Sequence, residues 1–141
     1  MYDYFYGSQS DQFAFYRIPK VLFTAPRFKT LSTDAKALYG ILLDRMNLSA
    51  KNGWIDKYGR VYIIFTTEEI MEAMGCANQK ATRLLAELEK DIGLIERKRQ
   101  GLGKSNLIYV KNFIAQGNPQ ESHVLNHGNH KVIILILVIL R

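Results

Sequence analysis

The fold is decided by residues 66–110, which read TTEEIMEAMGCANQKATRLLAELEKDIGLIERKRQGLGKSNLIYV. Thr66 and Glu69 have the spacing of a capping box, which predicts the start of a short helix, and Gly75 is a suitable end for it. A second helix is predicted over residues 78–91. Two helices separated by a short turn that contains glycine are typical of a helix-turn-helix.

The residues around this pair of helices predict the rest of a winged helix. Strands are expected at 94–99 and 107–110, joined by a wing tip at 100–106 that contains two glycines. The elements expected before the pair are a helical turn at 19–23, a helix over 32–46, a loop at 47–53, a tight turn at 56–59 and a strand at 61–65. The order helix, strand, helix, helix, strand, wing, strand indicates an α+β fold, a winged helix-turn-helix with an N-terminal β-hairpin.

The predicted second helix, with Asn78 as its N-cap, has one apolar and one polar face. The side chains expected in the core are Ala81, Leu84, Leu85, Leu88 and Ile92. Polar and basic residues of the kinds that read base edges or phosphates lie near its start on the other face: Asn78, Gln79, Lys80, Thr82 and Arg83. The alternative is an ordinary solvated face, because surface helices are commonly polar.

The wing adds a second group of candidate DNA contacts. From Arg97 to Lys111 the sequence has five basic residues and no acidic one, and the net charge of the whole chain is +6. Both features favour a polyanionic partner. The predicted wing contacts are Arg97, Lys98, Arg99, Lys104 and Ser105. A solvated run of charge is the alternative reading.

The chain divides into three predicted parts: a β-hairpin arm at 1–18, the winged-helix domain at 19–113, and a flexible linker with an atypical apolar tail at 114–141. The arm has apolar groups on both faces, which indicates that one face packs on the domain and the other on a second subunit. The residues expected in this dimer interface are Tyr2, Tyr4, Tyr6, Phe13 and Phe15. The alternative is a strand pair that only covers the core.

Other chemistry is not expected. His123, His127 and His130 lie in a segment with no predicted scaffold, so we predict no metal site. Cys76 is the single cysteine, suits a reducing cytosol, and is expected to be a small packed residue. No set of partnered catalytic side chains is present, so neither an enzyme nor a cofactor is predicted. The nine apolar residues at 132–140 are fewer than the roughly 20 that span a bilayer, and the start of the chain lacks a signal peptide, so a cytoplasmic protein without a membrane partner is expected.

The segment 16–113 resembles the N-terminal domain of the plasmid replication initiator A family. The resemblance covers about two-thirds of the chain and follows the family in order as well as in content. It is carried by YRIPKVLFTAPRFKTLSTDAKALYGILLDRMNLS (16–49), NGWIDKYGRVYIIFTTEEIMEAMGC (52–76), NQKATRLLAELE (78–89) and GLIERKRQGLGKSNLIYVKNF (93–113).

This resemblance implies a bacterial initiator that binds repeats in the replication origin of its plasmid as a dimer. It implies that residues 78–80 and 97–104 contact DNA, and that the N-terminal hairpin contributes to dimerisation. Family members continue into a linker and a C-terminal domain needed for replication and recruitment of host factors. Host replication proteins are therefore expected partners only if that region is supplied, and a truncated or frame-shifted product would explain the apolar tail.

Two other functions remain open from the residues alone, because a fold does not fix a function. The first is a transcriptional repressor with the same winged helix. The second is a protein-interaction winged helix within a replisome-loading complex. Binding to duplex DNA with origin repeats, compared with promoter DNA, distinguishes the three.

Overall fold

The structure, a computed structural model, describes residues 1–7 and 13–113 and has the element order of a winged helix. In chain order the elements are α1 (Val21–Thr24), a 3-10 turn (Pro26–Phe28), α2 (Thr33–Lys51), β1 (Ile63–Ile64), α3 (Thr67–Met74), α4 (Asn78–Ala86), a π-helical turn (Glu87–Asp91), β2 (Ile95–Lys98) and β3 (Leu107–Val110). The predicted α+β winged helix-turn-helix is confirmed.

Helix α2 is longer than its sequence pattern predicts. Its N-cap is Ser32, whose hydroxyl accepts a hydrogen bond from the Ala35 N–H at 3.1 Å. The helix continues to Lys51, so the predicted loop at 47–53 is wrong over its first five residues. After Met46 no proline or glycine occurs before Gly53, which has a φ of +78° and ends the helical run.

The sheet is small and antiparallel, with β3 between β1 and β2. Ile108 of β3 lies opposite Ile63 of β1 on one side and Arg97 of β2 on the other. The predicted strand at 61–65 is shortened to two residues, because Val61 pairs instead with Ile55 in an isolated bridge. The second wing strand has the predicted bounds, and the first is one residue shorter at each end.

The core lies between the helices and one face of the sheet. Its largest fully buried aliphatic side chains are Leu22, Leu38, Leu42, Ile63, Ile70, Leu84, Leu88, Ile95 and Ile108. These residues come from α1, α2, α3, α4, the π-helical turn and all three strands, so each element is fixed to the others through apolar burial. Across residues 1–7 and 13–113, no helix combines the length and the apolar character that crossing a membrane requires.

The N-terminal arm differs from its prediction. Within 1–7 and 13–18 neither part is a β-strand, so the predicted strand pair is wrong for the described residues, and most of its predicted turn lies outside them. The two parts still meet through an edge-to-face contact of Phe5 and Phe13, with ring centroids 5.8 Å apart. An isolated two-stranded hairpin is marginally stable, and among the described residues no strand of the sheet pairs with this arm.

The end of the arm is held closely against α2. A Cβ placed on Gly40 would lie 2.8 Å from Cγ1 of Ile18 and 3.0 Å from the carbonyl oxygen of Arg17. Only glycine therefore lets the chain cross α2 at this distance. The division of the chain at residue 18 stays a prediction, and the predicted linker and tail, 114–141, lie outside the described residues.

Candidate nucleic-acid interface

The helix-turn-helix is built by local signals at both ends of α3. Thr66 Oγ1 accepts from the Glu69 N–H at 3.1 Å, and the Glu69 carboxylate accepts from the Thr66 N–H at 2.9 Å. This reciprocal pair confirms the predicted capping box. At the other end Gly75 adopts a left-handed φ of +67°, and the Cys76 N–H returns to the carbonyl of Met71. The chain is thereby turned directly into α4.

Helix α4 presents the predicted polar face to solvent. Ala81, Leu84, Leu85 and Leu88 are buried as expected, whereas Ile92 is only partly buried. The exposed residues at the start of the helix are Asn78, Gln79, Thr82 and Arg83. The N-cap is Ala77, so the predicted capping role of Asn78 is wrong. Asn78 is instead the first helical residue, and it is exposed to solvent.

Two of the predicted contact residues on α4, Lys80 and Arg83, differ in whether they form an ion pair within the protein. Lys80 Nζ lies 2.7 Å from Asp34 Oδ2 in the first turn of α2, and both side chains are about half exposed. Arg83 forms no ion pair within residues 1–7 and 13–113. Within α4, Arg83 therefore offers a guanidinium that no carboxylate of the described chain neutralises.

The wing is closed by a hydrogen bond across its base. Gln100 Nε2 donates to the carbonyl of Ser105 at 2.7 Å, and the Lys104 N–H donates to the carbonyl of Gly101 at 3.2 Å. Gly101 and Gly103 have φ values of +129° and +78°, which is the conformational freedom the tip requires. The predicted contact residues that lie exposed on this wing are Lys98, Arg99, Lys104 and Ser105.

Arg97 forms an ion pair and hydrogen bonds with Glu89 of the π-helical turn. Its Nε donates to Glu89 Oε1 at 2.8 Å and its backbone N–H donates to Glu89 Oε2 at 3.0 Å, with both side chains 23 % exposed. Burial opposes ionisation of Glu89, but the hydrogen bonds and the charge of Arg97 outweigh it and lower the pKa of that carboxyl. Because Glu89 takes Nε, the terminal Nη groups of Arg97 are the part of its guanidinium left for a further partner.

The wing and α3 share a cleft of about 250 Å³. Its polar lining includes Thr67, Glu68, Arg97, Lys104 and Ser105. The structure therefore brings three of the predicted wing residues together, whereas none of the predicted α4 residues, 78–83, lines this cleft. Sequence reasoning missed Thr67, Glu68 and Asn106 of this lining, because only tertiary packing places the start of α3 beside the base of the wing.

The side chains predicted for the dimer interface are all exposed in the single chain: Tyr2, Tyr4, Tyr6, Phe13 and Phe15. Phe13 and Phe15 contact each other, with ring centroids 6.2 Å apart, in addition to the contact of Phe13 with Phe5. The arm is thus an aromatic surface outside the core of the domain. Among the described residues no group of three or more His, Cys, Asp or Glu side chains is arranged to hold a metal ion, and the three histidines considered from the sequence lie outside those residues.

Comparison with known proteins gives similarities of sequence and of structure. Residues 14–125 match the family described as replication initiator protein A (RepA) N-terminus. A Lactobacillus helveticus protein described as "41 kDa protein" is 34% identical over 92 residues, which are 65% of this chain and 26% of that protein. The chain thus matches about a quarter of the length of that curated relative.

Three solved structures have a similar fold. One, "N-Terminal domain of DNA binding protein", has a TM-score of 0.68 and 36% identity, and the match covers 94% of this chain and 98% of that one. "Structure of Rep-DNA complex" has a TM-score of 0.67 and 37% identity over 92% and 98% of the two chains. "Structure of MDR initiator" has a TM-score of 0.65 and 34% identity over 92% and 100%. By its match over residues 14–125, together with the winged-helix architecture, this chain belongs to the RepA N-terminal family of replication initiators.

Proposed function

We propose that this chain binds double-stranded DNA at the repeats of a plasmid replication origin, and so initiates or controls plasmid replication. The observation that carries the proposal is the pair of exposed basic surfaces, one on α4 and one on the wing, in a chain of this family. A structure titled as a complex of a Rep protein with DNA, 37% identical to this chain, supports the same function.

In this proposal α4 reads the base sequence. Its exposed side chains are those suited to the major groove: arginine pairs with guanine, while asparagine and glutamine pair with adenine. Arg83 is the first choice for a base contact because no carboxylate of the described chain competes for it. Gln79 and Thr82 are exposed on the same helix, so they extend the reading surface from Arg83 toward the helix start.

The wing supplies phosphate contacts in this proposal. Lys98, Arg99 and Lys104 are exposed and form no ion pair among the described residues, so each is available to neutralise a phosphate. Arg97 approaches the DNA with its guanidinium already oriented by Glu89, which lowers the conformational entropy lost on binding. Sequence specificity is therefore assigned to α4, and most of the salt-dependent affinity to the wing.

We also propose that a second copy of the chain is a partner and that the two copies meet through the exposed aromatic arm. The proposed location is the cytoplasm. The proposed function requires no catalysis, cofactor or metal. Starting replication and recruiting host proteins belong to the proposal only for a protein that also has the family's C-terminal region.

The first experiment measures equilibrium binding of the chain to three labelled duplexes: one with origin repeats, one promoter fragment and one scrambled sequence. We expect Arg83→Ala to weaken binding to the repeats by roughly 1–3 kcal/mol and to leave scrambled DNA much less affected. Lys90→Ala is the matched control, since Lys90 is also an exposed cation but follows α4 on the π-helical turn. An equal loss on all three duplexes would make Arg83 a phosphate contact, and no binding to any duplex at low salt would overturn the proposal.

The second experiment tests the wing through the dependence of affinity on salt. If Lys104 neutralises one phosphate, Lys104→Ala should reduce the slope of log affinity against log salt by about 0.9. The loss of affinity should be similar on all duplex sequences, because a phosphate contact carries no base information. An unchanged slope would remove Lys104 from the interface.

A further inference from the structure

A second hairpin, residues 54–62, lies at the end of the sheet remote from the wing tip. Its two sides are joined by the Ile55–Val61 bridge and by a hydrogen bond from the Tyr62 N–H to the carbonyl of Trp54. It leads directly into β1 and contacts Tyr109 near the C-terminal end of β3, whereas the wing tip precedes the first residue of β3. We call residues 54–62 the aromatic hairpin.

The aromatic hairpin is held rigidly by Asp56. One carboxylate oxygen of Asp56 accepts hydrogen bonds from the N–H groups of Tyr58 and Arg60, each at 2.9 Å. The other oxygen accepts from Arg60 Nε and from the hydroxyl of Tyr109, each at 3.0 Å. The carboxylate thus closes the turn and anchors it to the sheet, and it is already fully engaged by these donors.

The outer surface of the aromatic hairpin is apolar and aromatic. Trp54 stacks on Tyr62 with an interplanar angle of 17° and is still 40% exposed. Tyr58 at the turn is 68% exposed, and Ile55 between these positions is also exposed. Neither exposed ring is needed to fill the core of the domain, so packing of the single chain does not account for them.

Two cations accompany these rings. Lys57 Nζ lies 5.2 Å from the centroid of Tyr58, and the Arg60 guanidinium lies 5.0 Å from the same centroid and 4.9 Å from that of Tyr109. The single carboxylate of the hairpin, Asp56, is turned toward its own hydrogen-bond donors. The surface therefore combines exposed aromatic faces with positive charge and presents no free carboxylate of its own.

We infer that the aromatic hairpin is a second nucleic-acid site, which binds single-stranded DNA by stacking bases on Trp54 and Tyr58. Exposed aromatic rings beside cations are the combination that binds single strands, because an unpaired base has a free face and its backbone is anionic. The bases of a duplex are already stacked on one another, so a duplex cannot use these rings. A protein partner would bury the aromatic surface equally well, but it would not account for the two cations placed at Tyr58.

The site is separate from the proposed duplex interface. The aromatic hairpin shares no residue with the proposed duplex interface and lies at the opposite end of β3 from the wing tip, so we expect one chain to hold a duplex repeat and a melted strand at the same time. The inference does not depend on the proposed duplex function, since either interaction can be measured without the other.

The test uses Trp54, the single tryptophan of the sequence, as an internal probe. A homopolymeric thymidine oligonucleotide is titrated into the full chain, and Trp54 emission is followed together with the anisotropy of labelled oligonucleotide. We expect saturable quenching at low salt that persists when an origin-repeat duplex saturates the chain. Absence of oligonucleotide binding, or its displacement by the duplex, would overturn the inference.

Substitution of Tyr58 supplies the matched pair of variants. Tyr58→Ala should weaken oligonucleotide binding by roughly 5- to 150-fold, the range for one stacked base, and should leave duplex affinity unchanged. Tyr58→Phe keeps the ring and should bind as the natural chain does. Circular dichroism establishes that both variants fold. If Tyr58→Ala changes the sedimentation coefficient but not oligonucleotide binding, the surface is a protein interface and the inference is wrong.

Discussion

At the scale of single residues, Asp56 shows how one side chain defines a surface. Partial burial opposes its charge, but the N–H groups of Arg60 and Tyr58, the hydroxyl of Tyr109 and the Arg60 guanidinium outweigh that effect. Together they lower the pKa of Asp56 to about 2. The same interaction raises the pKa of the Arg60 guanidinium, so the pair stays ionised across the neutral range.

The lowered pKa of Asp56 gives a prediction in acid. An aspartate in an unfolded chain has a pKa of about 3.9. The stabilisation by Asp56 is therefore complete above that pH and is lost as the pH falls toward about 2. We expect Trp54 emission to change in this window as the aromatic hairpin opens. In Asp56→Asn, which cannot titrate, the change in this window should be absent. An identical acid transition in the variant would show that other carboxyls control the hairpin.

At the scale of elements, local signals account for what could be predicted. The Thr66 capping box and the left-handed Gly75 fix both ends of α3, and the glycines of the wing fix its tip, so these elements follow from neighbours in sequence. The sequence pattern predicted too early an end for α2, because the helical spacing of apolar residues weakens after Met46. The helix nevertheless continues to Lys51, since no proline or glycine follows Met46 before Gly53. Its continuation depends on the absence of a stop, which is a weak signal.

What the sequence did not predict are the contacts between elements. The ion pairs of Lys80 with Asp34 and of Arg97 with Glu89 join residues that helical or strand periodicity cannot relate. The same holds for the aromatic hairpin. Its turn was predicted, but the hydrogen bond that anchors Asp56 to the sheet comes from Tyr109, which lies 53 positions away in sequence. The distribution of charge along the sequence therefore predicted the basic wing. It did not predict which basic side chains of the wing form ion pairs within the protein, as Arg97 does with Glu89.

The contact between the π-helical turn and β2 gives a prediction at this scale. Glu89→Gln removes the charge that accepts from both the backbone and the side chain of Arg97, so we expect a loss of roughly 1 kcal/mol in the free energy of unfolding. Glu96→Gln is the matched control in the adjacent strand. Glu96 pairs with Lys111 at 3.6 Å and both are about half exposed, so its loss should stay within about 0.5 kcal/mol.

Urea denaturation of both variants measures this difference, and duplex binding adds a functional readout. Without its anchor, Arg97 should contact phosphate less well, so Glu89→Gln should weaken binding to repeat and scrambled DNA by a similar factor, while Glu96→Gln leaves both affinities unchanged. Equal destabilisation by the two substitutions would contradict a positioning role for Glu89.

At the scale of the whole molecule, three surfaces surround one core. The α4 and wing surface is basic, the aromatic hairpin lies beyond the other end of β3, and the arm at 1–18 adds exposed rings outside the core. Each surface is supported by a different part of the fold. Changes to one should therefore leave the other two, and the folding of the domain, largely unaffected.

The arm provides the prediction for the whole molecule. Deletion of residues 1–15 removes exposed aromatic side chains but leaves Ile18, which packs against the core, and Gly40, against which the chain crosses α2. We therefore expect the shortened chain to fold with an unchanged thermal midpoint, and to sediment as a monomer where the natural chain sediments as a dimer.

The loss of dimerisation in the shortened chain should also change its binding to DNA. Two joined copies hold two adjacent repeats with a high effective concentration of the second domain, whereas one copy gains nothing from the second repeat. The shortened chain should thus keep its affinity for a single repeat and lose the preference for paired repeats. A dimer that persists after the deletion would place the subunit interface elsewhere, and a natural chain that sediments as a monomer would mean that the aromatic arm serves a different partner.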